Sequence, residues 1–119
     1  MTTTTTLSEG HGGTALFVID IQNDLATDPR TQIPHADRVK KATTQILAAA
    51  RGVITRNQSD IIVFVQHEET PESGPLVRGS EPWKLVFEPS EGGLADGREI
   101  LVYKTTREFW VLLTSPTFE

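Results

Sequence analysis

Three residues of this chain pair reactive side chains with telling positions: Asp20, His67 and Lys104. Asp20 follows the apolar run Ala15-Leu16-Phe17-Val18-Ile19. Gln66-His67 follows Ile61-Ile62-Val63-Phe64-Val65, and Lys104 follows Glu99-Ile100-Leu101-Val102-Tyr103. If the three runs are parallel strands, their polar ends emerge on one edge of a sheet, where open α/β folds bind ligands. A carboxylate beside an ammonium in a partly dry cleft keeps both groups charged, and the pair can orient and activate a third group. The competing reading is a plain salt bridge or two unrelated surface charges. His67 fits a metal ligand, an acid/base group or a substrate contact, against a partly buried imidazole bonded to a loop. Trp83 can stack on a planar substrate or anchor the loop that carries it. Gln22 and Asn23 can meet substrate or bond to loop backbone.

The elements that must position these residues are readable. The first strand is expected over Thr14–Ile21. Asn23–Ala36, punctuated by Asp28-Pro29-Arg30 and Ile33-Pro34-His35, reads as a loop. Asp37 has the type of an N-cap, and Val39, Ala42, Ile46, Ala49, Ala50 and Val53 recur at helical spacing, which predicts an amphipathic helix from Asp37 to Asn57. Strand, helix and the second run make a right-handed βαβ unit with parallel strands. The long stretch Thr70–Arg98 is rich in Gly, Pro, Glu and Ser. Its apolar island Pro82–Phe87 is expected to form a helical turn or to cover a pocket. Glu99–Tyr103 is the third strand. Thr105–Glu119 is ambiguous between helix and strand.

Residues Met1–Gly13, with five consecutive threonines, offer little apolar area to bury and read as a flexible tail, leaving 14–119 as the domain. The glycines there precede the first strand, so they do not make a dinucleotide-binding turn, which must lie between strand and helix. At 119 residues the chain suits one modest core. A net charge of -5 argues against nucleic acid. No apolar run approaches the roughly 20 residues that cross a bilayer, and the N-terminus lacks a signal-peptide pattern, so a cytoplasmic protein with no membrane partner is expected. The absence of cysteine excludes disulfides, thiolate metal sites and a cysteine nucleophile within these 119 residues. With no Asp-x-His or His-x-His pattern, neither a metal nor another cofactor is expected.

The segments FVIDIQNDL, IIVFVQHEE, GSEPWKL and ILVYKTTREF, taken in order, resemble the isochorismatase-like cysteine hydrolases over Thr14 to Phe109. The resemblance implies an α/β fold with a Rossmann-like parallel sheet flanked by helices, truncated here at the C-terminus. It implies a hydrolase acting on small-molecule amide or related C–N and C–O bonds, with Asp20 as general base, Lys104 as the accompanying lysine, and Gln22, His67 and Trp83 near substrate. In that mechanism the Asp takes a thiol proton, the Lys steadies the charge and the thiolate attacks an electrophilic carbon. The family's cysteine lies downstream of the matching region, and this chain has none. The resemblance therefore implies a protein inactive alone. The alternative is a non-enzymatic fragment that forms a homo-oligomer or pairs with a full-length homologue through an exposed sheet edge. A phosphoacceptor signalling domain ranks third, because it needs an adjacent acidic pair that Ile19-Asp20-Ile21 does not supply.

Overall fold

The apolar runs become strands of one sheet. The computed structural model describes residues 2–7 and 13–105. Its elements are β1 (Thr2–Leu7), β2 (Gly13–Ile19), α1 (Asn23–Ala26), α2 (Ala36–Ile54), β3 (Ile61–His67), α3 (Glu91–Asp96) and β4 (Glu99–Lys104). The sheet order is β1-β2-β3-β4. β2, β3 and β4 are parallel, with Ile19 opposite Val65 and His67 opposite Lys104. The chain is thus an α/β protein built on a three-stranded parallel sheet with helices. Among the described residues no helix is long and apolar enough to cross a membrane.

Because successive strand residues point to opposite faces, continuous apolar runs mark a sheet buried on both sides. Leu16, Val18, Ile62 and Phe64 pack with Leu47 and Ile54 of α2, while Ala15, Phe17, Val63 and Val65 form a separate cluster on the other face. The helix that covers the first face is turned from the expected register. Its buried positions are Ala36, Thr43, Leu47 and Ile54, while Ile46 and Val53 are exposed. A threonine can occupy the buried stripe because its Oγ1 donates to the Val39 carbonyl at 2.7 Å, which leaves no unpaired hydroxyl. The helix starts at Ala36 after His35, which sits in the left-handed region, so Asp37 is not the cap but an acid in the first turn, where the helix dipole favours it.

Three further expectations are corrected. The flexible tail expected over Met1–Gly13 contains a strand: Thr2–Leu7 pairs antiparallel with Gly13–Val18. Threonine is β-branched and suits extended backbone, and a strand can be recruited through main-chain hydrogen bonds without a large apolar payload. The loop expected over Asn23–Ala36 holds the single turn α1, and Thr70–Arg98 contains α3. Ser90 caps α3 by accepting from the Gly93 amide at 3.0 Å, and Gly97 ends it with φ 77°, a conformation costly for residues with a Cβ. The island Pro82–Phe87 forms no helix; its Trp83, Lys84 and Leu85 line a pocket, the other form expected of it. It crosses the end of β2, with the Asn23 amide donating to the Lys84 carbonyl at 2.9 Å and the Val86 amide to the Ile21 carbonyl at 3.0 Å. The expectation for Thr105–Glu119 falls, past Thr105, outside the described residues.

Candidate functional site

Parallel register brings the three strand-end residues together. The Asp20 amide donates to the Val65 carbonyl at 2.9 Å, so the chain leaves β2 still attached to β3. Asp20 then turns the chain with φ 59°, in the left-handed region that Asp and Asn tolerate better than most residues. This places Asp20 Oδ2 3.1 Å from Lys104 Nζ. His67, beside Lys104 in register, sets its Nδ1 3.4 Å from the same ammonium. A protonated Lys104 can only donate there, which puts the ring proton on Nε2, 3.7 Å from Glu69 Oε2.

The Lys104 side chain is 3% exposed, so its charge depends on an anion within the protein. Asp20 supplies that anion but is incompletely satisfied: its Oδ1 is buried and has no hydrogen-bond partner among the described residues. These groups line a cavity of about 330 Å³ whose other wall includes Leu25, Pro75 and Leu76. The volume lies near the lower end of the range for small-molecule sites. The cavity offers a proton acceptor, a buried ammonium and an apolar wall. That combination can hold a polar small molecule and take a proton from it.

Of the residues expected near substrate, only His67 stands with Asp20 and Lys104. Gln22 is fully buried. Its Nε2 donates to the carbonyls of His67 at 2.9 Å and Trp83 at 2.7 Å, and its Oε1 accepts from the His67 amide at 2.9 Å. The amide is therefore a clamp on loop backbone and the end of β3, which corrects its assignment as a substrate contact. Trp83 does not line the Asp20 cavity. Its carbonyl receives Gln22 and also Gln66 Nε2, and its ring stacks on Tyr103, so it anchors the loop and belongs to a different pocket. Asn23 likewise bonds to backbone, donating to the Glu81 carbonyl at 3.1 Å.

Two acidic residues of the cavity are not candidates from sequence, Asp24 and Glu69. Glu69 lies two residues beyond His67, and alternation along an extended chain returns its side chain to the same side. Its Oε1 accepts from the Leu76 amide at 3.2 Å, which ties the Pro75–Leu76 wall to the site. Gly74 passes so close to the Glu69 carboxylate that a Cβ there would collide with it. Asp24 reaches the cavity because α1 turns the chain straight after Gln22. Among the described residues no group of three or more His, Cys, Asp or Glu side chains could hold a metal ion.

Compared with known proteins, the chain matches no family model, no curated protein and no solved structure.

Proposed function

We propose that this chain is an isochorismatase-like hydrolase by descent, on a Rossmann-like sheet, whose Asp20 cavity binds a small-molecule amide or related C–N or C–O compound. The observation that carries the reading is the 3.1 Å contact between Asp20 Oδ2 and the buried Lys104 ammonium, beside a cavity at the C-terminal ends of parallel strands. In such a site Asp20 is the proton acceptor. Lys104 pairs with Asp20 and offers positive charge to a developing oxyanion. His67, hydrogen-bonding distance from Lys104, positions the ammonium. The missing member is the nucleophile, since the chain contains no cysteine. Removing an activated nucleophile lowers rates by on the order of 10³ to 10⁶, so binding without turnover is the expected behaviour of the chain alone.

Purified protein assayed against a panel of small amides and esters is expected to show saturable binding by NMR titration and no hydrolysis above the buffer rate. Asp20→Ala and Lys104→Met should each abolish that binding while the amide spectrum stays dispersed. Hydrolysis that disappears in Asp20→Ala would overturn the inactivity. Binding unchanged in both variants would overturn the site.

A second reading, a non-enzymatic chain that pairs with another copy or with a full-length homologue, is favoured by one observation. Among the described residues β4 has a strand neighbour on one side only, and its Ile100 and Tyr103 are exposed. Light scattering separates the two readings: a dimer or a mixed complex that Ile100→Lys dissociates supports pairing, and a monomer that ignores the homologue counts against it.

A further inference from the structure

The residues that alternate with the Asp20 group along the same strand ends build a second pocket. Gln66 and Tyr103 are opposite each other in register, one step before His67 and Lys104, so their side chains go to the other face of the sheet. They line a cavity of about 300 Å³ together with Trp83, Leu85 and Leu101. Trp83 and Tyr103 make its aromatic surface: their rings are near parallel, with an interplanar angle of 13° and centroids 6.5 Å apart, an offset stack. Arg78 lies over Tyr103, 5.0 Å from the ring centroid, and holds the phenol in place.

Two polar groups of this pocket lack partners among the described residues. Gln66 is 3% exposed, yet only the nitrogen end of its amide is engaged, donating to the Trp83 carbonyl at 3.0 Å. That bond fixes the orientation of the amide and leaves Oε1 as an acceptor on the pocket wall. The Trp83 indole Nε1 is a buried donor with no acceptor. Buried polar groups are rarely left unpaired, and the Trp83 indole donor is one, set beside the Gln66 amide and an aromatic surface.

We infer that this pocket binds a planar heteroaromatic compound with a lactam-type edge, a ring N–H next to a carbonyl. The ring stacks against Tyr103 and Trp83, the N–H donates to Gln66 Oε1, and the carbonyl accepts from Trp83 Nε1. The inference is independent of the Asp20 reading, because the two pockets lie on opposite faces of the sheet.

The test is a ¹H–¹⁵N titration of the full chain with 2-quinolone, whose ring N–H is bonded to its carbonyl carbon, and with 1-methyl-2-quinolone, in which a methyl group replaces that hydrogen. 2-Quinolone is expected to shift the Trp83 indole N–H and the Gln66 side-chain amide saturably, and the N-methyl compound to bind about five- to tenfold more weakly, the worth of one hydrogen bond. Gln66→Met should erase the difference between the two probes, and Tyr103→Leu, at an exposed position, should weaken both. Unmoved Phe17 and Leu47 amide signals show that each variant keeps the fold; if Gln66→Met does not, Tyr103→Leu carries the test. No shift with 2-quinolone at its solubility limit, equal binding of the two probes, or shifts confined to the His67 and Lys104 face would each overturn the inference.

Discussion

The two ends of β4 each bury a charge, and they treat it differently. At the start of the strand the Glu99 side chain is 2% exposed and both of its oxygens are saturated. Arg51 donates through Nε at 3.0 Å and Nη2 at 2.9 Å, while Ser90 donates its amide at 3.0 Å and its hydroxyl at 2.8 Å. At the other end the Lys104 ammonium is as deeply buried, but its anion, Asp20, has one oxygen in the pair and the other without a partner among the described residues, on a residue in the left-handed region. Glu99 joins strand, helix α2 and the cap of α3, so its pair is a structural joint. The Asp20 pair leaves hydrogen-bonding capacity unused beside a cavity, and unused capacity with local strain is what a binding or catalytic site stores.

If that contrast is right, the largest effect on stability comes from the saturated end. Glu99→Ala removes the acceptor of four hydrogen bonds from Arg51 and Ser90; Arg51 keeps the Glu88 carbonyl and is 37% exposed, so the cost should fall near the low end of the about 3–5 kcal/mol for truncating one partner of a buried pair. Urea denaturation of wild type and variant measures it. A loss below about 1 kcal/mol would show that Arg51 finds water as readily as it finds Glu99.

The same residue predicts a pH dependence. Burial pushes the Glu99 carboxyl up, but the hydrogen bonds from Arg51 and Ser90 outweigh it and hold the group below its ordinary value of 4.5. A folded-state value lower than the unfolded one contributes stability that is present above the unfolded value and is lost as the pH falls through the folded one. Urea midpoints should therefore drop as the pH is lowered from about 6 to 3, and the drop should be shallower in Glu99→Gln, which has no proton to gain there. Parallel profiles would assign the acid sensitivity to other carboxylates.

What was legible in the sequence follows the same division. Asp20, His67 and Lys104 could be placed together because an apolar run that ends in a polar residue marks both the strand and its end, and parallel register does the rest. For Gln22 the sequence leaves substrate contact and loop-backbone bonding both open, and Glu99 has no role there at all, because their partners lie 45 and 48 residues away and nothing local announces a buried clamp. The face of α2 was misread by one position, since alanines and threonines serve either side of a helix and the exposed Ile46 and Val53 mimic a core stripe. The threonine run was judged on apolar area alone, although β1 is held by its pairing with β2.

The smallest expected effect tests the contrast most directly. Asp20→Asn keeps a residue type that tolerates the left-handed backbone, so it removes the charge without adding strain. The cost is the loss of an anion near Lys104. Against it stand the partial exposure of Asp20, with 28% of its side chain accessible, the single engaged oxygen, and the His67 Nδ1 that remains 3.4 Å from the ammonium. The loss in urea denaturation should stay under about 2 kcal/mol, less than that of Glu99→Ala, because the Asn side-chain oxygen and His67 Nδ1 can both still accept from Lys104. An equal loss at the two positions would make the Asp20–Lys104 pair a second joint of the fold. A small loss, together with the binding defect expected of Asp20→Ala, would place the pair where a protein keeps charge for its ligand.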